Sequence, residues 1–267
     1  MIWAFVAVLC SVPVGVFLLR PRVARLFRAD FQGIKIESIL GPIITLTVFV
    51  GAFVIAQATQ TYQRAGQDAI AEASAVALLH DNAGLLPDNR GKDLQAASVC
   101  YARAVRHLEW PAMARGKSAP EVDHWAGQFD ALIPDVLDGP GSIVGQVVGL
   151  NRTQTEMRQL RLYEASPHLP QLTIILVIMS VIFVMLLLTS LAVADIRRRV
   201  LFTLSMALAL LLGGTLYLIE QLEEPFSGII HLQPALITKV EDRIAADFAA
   251  RYPDVSLPCD IEGHPTN

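Results

Sequence analysis

The sequence predicts an all-α membrane protein with four transmembrane helices and a helical extramembrane domain between the second and third of them. Two observations on the 267-residue chain support this prediction. Hydrophobic residues make up 53% of the chain and charged residues only 17%, whereas soluble domains average about 45–50% and about 25%. The hydrophobic residues are also concentrated in four blocks that contain no Asp, Glu, Lys, Arg or His.

Each of the four blocks is long enough to cross a bilayer. A helix rises about 1.5 Å per residue and the hydrocarbon core is about 30 Å thick, so about 20 residues suffice. The blocks do not alternate apolar and polar residues, which argues against a transmembrane barrel. We therefore predict spans at residues 2–19, 38–60, 171–193 and 200–219.

The segment between the second and third spans is polar, and its apolar residues recur at helical spacing. It shows no alternation typical of a strand, so we expect a helical bundle. The predicted helices of this segment cover 65–86, 93–109, 121–137 and 142–165.

The chain is accordingly predicted to have four regions. The first, 1–60, holds spans one and two with a basic loop at 20–37, and the second, 61–169, is the helical domain. The third, 170–219, holds spans three and four, and the fourth, 220–267, is an acidic tail with one amphipathic helix.

The distribution of charge favours one orientation in the membrane. The short loops 20–37 and 194–199 carry net charges of +3 and +2, whereas 61–169 carries −3 and 220–267 carries −6. Basic residues concentrate in short cytosolic loops. We therefore expect both short loops in the cytosol, and both termini and the helical domain on the opposite side.

Two cysteines lie in the polar regions. Cys100 is in the helical domain and Cys259 is in the tail, so they share a compartment in either orientation. In an oxidising compartment they could form a disulfide. The alternative is that Cys100 is a small core residue and Cys259 is a free thiol, and the sequence leaves both open.

Several classes of function lack support in the sequence. The net charge of −4 argues against nucleic-acid binding. Phosphate-binding loops, HExxH, CxxC and nucleophile elbows do not occur, and the six histidines are scattered. We therefore predict no enzymatic activity, no metal site and no cofactor. Ion-coupled transporters usually place charged groups at membrane depth, so four charge-free spans favour a passive pore or an inert anchor.

Four motifs carry a family resemblance: EAxAVxxL at Glu72, EWPAMARG at 109–116, RQLRLYEASPHLP at 158–170 and EPFSG at 224–228. On these motifs the sequence resembles the bestrophin-like family, also known as the DUF4239 family, over nearly the whole chain. The family name records a similarity to bestrophins, which are pentameric anion channels with four spans and a pore lined by the second. The resemblance implies a homo-oligomer, by analogy a pentamer, in a bacterial inner membrane, with the lipid bilayer and small anions as its other partners.

The resemblance also assigns roles to individual residues. Pro225, Phe226 and Gly228 correspond to the Pro-Phe-Gly motif after the fourth bestrophin span. The acidic calcium-binding run of animal bestrophins does not follow it, so calcium gating is not implied. Bestrophins keep the helical domain in the cytosol, but we retain the opposite, charge-based orientation. The motif residues Glu72, Tyr101, Glu109 and Trp110 are expected to form a buried polar network rather than a catalytic site.

The second span carries a stripe of polar and aromatic residues at helical spacing. If several copies surround an axis, Phe49 and Phe53 would form an apolar neck that gates by dewetting. Thr45 and Gln57 would form neutral rings beside the neck, and Arg64 would attract anions at its mouth. The alternative is that this face packs against helices or lipid. The candidate pore-lining residues are Thr45, Phe49, Phe53, Gln57, Gln60 and Arg64.

The sequence thus supports two hypotheses for function. The first is an oligomeric channel for small anions whose pore is lined by the second span. The rival is a non-conducting membrane scaffold or sensor that presents its helical domain to a partner.

Overall fold

The computed structural model describes residues 2–15, 36–87, 91–137, 139–165, 171–191 and 198–266. Within these ranges the chain is mostly helical and forms no strand, and its one β-type pairing is an isolated bridge between Cys259 and Pro265. The predicted all-α class is therefore confirmed. Most of the two basic loops lies outside the described residues, so the orientation inferred from their charges stays a prediction.

The helices of the described ranges match the predicted ones closely. The predicted helix over 93–109 is divided, because a π-helical turn at Val105–Glu109 follows its α-helical part. In chain order the helices are α1 Ile2–Pro13, α2 Ile36–Ala83, α3 Lys92–Ala104, α4 Trp110–Met113, α5 Pro120–Val136, α6 Gly141–Glu164, α7 Gln171–Leu191, α8 Arg198–Glu223 and α9 Ala235–Arg251.

Two helices of the described residues are long and apolar enough to cross a membrane. They are the stretch Gly41–Ala83 of α2 and the stretch Arg199–Glu223 of α8, while Ile175–Leu186 within α7 is a shorter apolar helix. The structure therefore supports two candidate spans, and the count of four stays a prediction. Helix α2 has 48 residues, or about 70 Å, which is more than twice the hydrocarbon thickness.

The chain forms two compact units. Residues 1–60 and 168–223 make the first, which we call the spanning unit. Residues 61–167 and 224–267 make the second, which we call the helical domain. The tail was predicted as a separate region from residue 220 onwards, but the structure assigns 224–267 to the helical domain.

The spanning unit has a small apolar core and an apolar exterior. Val8 and Val12 of α1 pack with residues of α7 and α8, and Val54 and Ala58 of α2 pack with Val177 and Ile219. Many large apolar side chains face outward instead. An apolar exterior of this kind is typical of a surface covered by lipid or by another chain. The outward side chains include Leu46, Phe49, Phe53, Leu176, Met179, Leu204 and Leu211.

Helix α3 is the centre of the helical domain. Ten of its 13 residues are buried, because it packs between other helices rather than on one side of them. It contacts α5 and α9, and its alanines allow these helices to approach closely. Apolar periodicity in the sequence indicates one buried face of a helix. It cannot indicate the central position of α3, because nearly every face of this helix is covered.

The tail joins the helical domain through α9 and through polar contacts. His80 Nε2 lies 3.1 Å from Asp247 Oδ2. Arg106 donates to Glu241 over 2.8 Å. Burial lowers the pKa of His80, although the contact with Asp247 opposes this shift. The tail helix is therefore a structural part of the domain.

A disulfide joins Cys100 to Cys259, with their Cα atoms 5.7 Å apart. A hydrogen bond to α5 also holds the chain that follows Cys259: the indole of Trp125 donates to the carbonyl of Gly263 over 2.7 Å. Gly263 has a φ of 96°, and a Cβ atom there would collide with the backbone of Ala104. Only glycine meets both requirements. Of the two alternatives that the sequence left open, the structure contains the disulfide.

Candidate functional site

A cluster of buried charges lies at the centre of the helical domain. Glu72 of α2 and Tyr101 of α3 face each other, and the tyrosine hydroxyl donates a hydrogen bond to Glu72 Oε1. Both side chains are almost completely buried. A buried carboxylate is costly unless donors surround it, so further partners are required.

The π-helical turn supplies the second carboxylate. Pro111 lies two residues after this turn. A proline has no backbone N–H, and its ring clashes with the carbonyl four residues earlier, so it disfavours a regular α-helix at this point. The chain widens into the turn Val105–Glu109 instead. Glu109, at the end of the turn, is fully buried.

Two arginines of α6 neutralise the two glutamates. Arg158 and Arg161 are three residues apart, so both project from one face of the helix. Arg161 binds Glu72 with two nitrogens and Glu109 with one of them. Arg158 binds Glu109 Oε1 over 2.6 Å, and its other terminal nitrogen lies 2.8 Å from Asp123.

Charge balance determines the protonation states in this cluster. Burial by itself would raise the pKa of Glu109, but the charges and hydrogen bonds of Arg161 and Arg158 outweigh it, and the pKa is lowered. Burial raises the pKa of Tyr101 well above its ordinary value, and the nearby carboxylates of Glu72 and Glu109 add to the shift. The tyrosine therefore remains a neutral donor.

Aromatic contacts link the cluster to the loop after α8. The guanidinium of Arg161 lies 5.6 Å from the ring centre of Trp110. Trp110 in turn meets Phe226 edge to face at 5.3 Å, and its indole N–H donates to the carbonyl of Leu232. Gly228 has a φ of 76°, a conformation that favours glycine. Pro225 and Phe226 are buried, so this motif anchors the loop to the domain.

The cluster is suited to holding helices together. Each carboxylate oxygen of Glu72 and Glu109 accepts a hydrogen bond from a described side chain. The described residues contain no group of three His, Cys, Asp or Glu side chains that could hold a metal ion.

The candidate pore stripe is exposed along one face of α2. Phe49 is 69% exposed and Phe53 is 58% exposed. The hydroxyl of Thr45 donates to the carbonyl of Gly41 over 3.0 Å, the local bond expected for a helical threonine. The other members, Gln57, Gln60 and Arg64, are also exposed.

Arg158 and Arg161 were not among the site residues predicted from the sequence. A signal was present, because the two arginines stand three residues apart within RQLRLYEASPHLP. Two motif glutamates that were expected to be buried also required cationic partners. Arg161 is 89 residues away from Glu72 in the sequence, so no local pattern indicates that the two side chains meet.

Removal of Arg161 should destabilise the protein strongly. Arg161→Met leaves two buried carboxylates with too few donors, a change that typically costs about 3–5 kcal/mol. We expect the thermal midpoint of the full chain in detergent to fall by about 6–20 °C. Arg152→Met is the matched control, since Arg152 is exposed on the same helix. Equal midpoints for the two variants would contradict the role of the cluster.

Acid should weaken the cluster through Glu109. Its pKa is lower in the folded chain, so its contribution to stability is complete above the unfolded value of about 4.3 and is lost as the pH falls below it. The thermal midpoint of the wild type should therefore drop as the pH is lowered below about 5. Glu109→Gln should have a lower midpoint at pH 7 and a smaller drop on acidification. Glu156→Gln, at an exposed site on α6, should retain the drop of the wild type.

Comparisons with known proteins agree with this architecture. A family model described as the bestrophin-like domain matches residues 4–237. No curated protein sequence matches this chain. Crystal structures of a bacterial bestrophin homologue from Klebsiella pneumoniae match the fold. The structure of one of its variants has a TM-score of 0.70, and a structure phased with zinc has a TM-score of 0.69. Each is 12% identical and covers 93% of this chain and 98% of its own. A further crystal structure, of a membrane protein variant, has a TM-score of 0.68 at 13% identity, with the same coverage. The chain belongs to the bestrophin-like family.

Proposed function

We propose that this protein is an oligomeric channel for small anions whose pore is lined by the exposed stripe of α2. The observation that carries the proposal is that six residues at helical spacing, from Thr45 to Arg64, face outward along one side of this helix. The family and the fold it shares with a bacterial bestrophin homologue support the choice of a channel.

The composition of the stripe fits an anion pathway. Phe49 and Phe53 present large apolar surfaces, and a ring of such side chains can stop conduction by excluding water. Gln57 offers amide N–H donors, which hydrogen-bond anions without a fixed charge. Arg64, which is exposed, would raise the local anion concentration at one end of the stripe.

The proposal requires several copies of the chain. One copy exposes the stripe on its outside, so a closed pathway forms only when copies place α2 around a common axis. The family resemblance makes a pentamer the expected assembly. Assembly would also cover part of the apolar exterior that a single spanning unit presents.

The buried charge cluster suits this role as a support. The stripe and Glu72 lie on the same helix, α2, and Glu72 is bound by Arg161 and Tyr101. A pore helix has to keep its rotation so that the same side chains face the axis. The cluster fixes the rotation of α2 within the helical domain. Because every member has a partner inside the domain, we propose no enzymatic role for it.

The rival hypothesis is a scaffold or sensor that does not conduct. It needs no closed ring, so the oligomeric state of the purified protein in detergent separates the two hypotheses. The channel requires a closed ring of more than two copies, so a monomer or dimer would exclude it.

Phe53→Ala should raise the conductance. Removing the aromatic ring widens and hydrates the neck, so planar bilayers containing this variant should show larger single-channel currents than the wild type in the same salt. Phe183→Ala is the control, because Phe183 is an equally exposed phenylalanine of α7 outside the stripe. A wild type that carries no current under any salt or pH would exclude conduction.

Charge selectivity gives a second measurement on the same bilayers. Arg64→Gln should move the reversal potential in a salt gradient towards that of a less anion-selective pore, because it removes the cation at the mouth. An unchanged reversal potential would remove Arg64 from the pathway.

We infer that the protein is a multi-pass protein of a bacterial inner membrane, with its helical domain on the non-cytosolic side. The disulfide between Cys100 and Cys259 supports this orientation, because disulfides persist in oxidising compartments. The charges of the short loops support it independently. Bestrophins have the opposite orientation, so this chain would differ from them.

Labelling of single cysteines tests the orientation. In a Cys10→Ser background, the Ser166→Cys variant should react with a membrane-impermeant maleimide in intact cells. The Arg198→Cys variant should react only after permeabilisation. The reverse pattern would contradict the inferred orientation. Peptide mass spectrometry without reductant should recover Cys100 linked to Cys259 from the native protein.

A further inference from the structure

The helical domain contains a cleft that the proposed pore does not use. Its volume is about 330 Å³, within the range of small-molecule sites. The turn after α4, Met113–Gly116, forms one wall, and Ala165 at the end of α6 forms another. Glu224, Phe226 and Ser227, from the loop after α8, complete it. Gly116 has a φ of 66°, which allows the tight turn of the first wall.

The cleft combines an apolar floor with groups of opposite charge. Met113 and Phe226 are buried beneath it and belong to one apolar cluster. Arg115 is exposed, and among the described residues it forms no ion pair. Glu224 also lines the cleft, and the hydroxyl of Ser227 donates to its Oε2 over 2.7 Å. A ligand with one anionic and one cationic group would match these walls.

The covalent connection of Glu224 to α8 gives the expected depth of this residue in a membrane. The predicted fourth span ends at residue 219, and α8 continues as a helix to Glu223. At about 1.5 Å per residue, Glu224 would lie about 7 Å beyond the hydrocarbon core. The headgroup layer extends about 5–8 Å on each side of the core. Glu224 would therefore lie at the depth of phospholipid headgroups.

The loop that lines the cleft also carries exposed apolar side chains. Ile229 is 77% exposed and Ile230 is 39% exposed, only two and three residues after Ser227. Large apolar side chains beside polar groups are typical of segments that enter the membrane interface. The exposure of these two isoleucines is independent of the charges in the cleft, and it also indicates a position in the headgroup layer.

We propose that the cleft binds the headgroup of phosphatidylethanolamine. The phosphate would pair with Arg115, and the ammonium group would donate to Glu224, which Ser227 orients. Phosphatidylglycerol offers no cation to Glu224, and phosphatidylcholine has no N–H to donate. Glu224 would therefore distinguish phosphatidylethanolamine from the other two lipids, because only its headgroup offers a cation with N–H groups. The proposal does not depend on conduction.

Lipid binding to the purified protein tests the site. Delipidated full-length protein in detergent is titrated with each of the three lipids, and bound lipids per protomer are counted by native mass spectrometry. We expect the wild type to prefer phosphatidylethanolamine. Arg115→Gln should weaken its binding about tenfold or more, because a charge-assisted contact is lost. Lys117→Gln, at an exposed position outside the cleft lining, should bind as the wild type does.

Glu224→Gln separates the ammonium contact from the phosphate contact. This variant should lose the preference for phosphatidylethanolamine over phosphatidylglycerol while it still binds both. Equal binding of phosphatidylethanolamine by the wild type and Arg115→Gln would overturn the proposal, as would equal affinity of the wild type for both lipids. Competition by soluble phosphoethanolamine at the concentration at which the lipid binds would also overturn it, since the ligand would then be a free metabolite. No current is measured, so a failed channel proposal would leave these results intact.

Discussion

Arg161 is the side chain on which the helical domain depends. It is fully buried, and a buried guanidinium is costly unless anions surround it. Glu72 and Glu109 provide that charge from two different elements, and neither carboxylate could be buried without an arginine. The three groups therefore require each other, and they join α2, the π-helical turn and α6 in one arrangement.

The same arrangement reaches the C-terminal part of the chain. Trp110 contacts Arg161 on one side and Phe226 on the other, so the loop after α8 packs where the charges are neutralised. Helix α9 covers α3, and the disulfide at Cys100 holds the last residues against the same helix. The domain thus closes around α3 and joins two separate regions of the chain, 61–167 and 224–267.

Helix α2 connects this support with the proposed function. Its stretch 45–64 presents the exposed stripe, and Glu72 lies further along the same helix. A conducting pathway needs a defined rotation of the lining helix, and a buried ion pair fixes rotation more strictly than apolar packing, because the charged groups bind only in one geometry. The proposed headgroup cleft shares Met113 and Phe226 with the apolar cluster beside these charges.

The sequence by itself determined the helical class, the positions of most helices and the family. All of these depend on local spacing or on short motifs, which the sequence displays directly. The tertiary structure decided three other features: the ion pair of Arg161 with Glu72, the disulfide between Cys100 and Cys259, and the packing of the tail in the helical domain. The pairs are 89 and 159 residues apart, and helical periodicity shows which face of a helix is buried but not which distant segment covers it. The π-helical turn escaped prediction for a related reason, since it depends on how Pro111 is accommodated next to a glutamate that has to face a buried arginine.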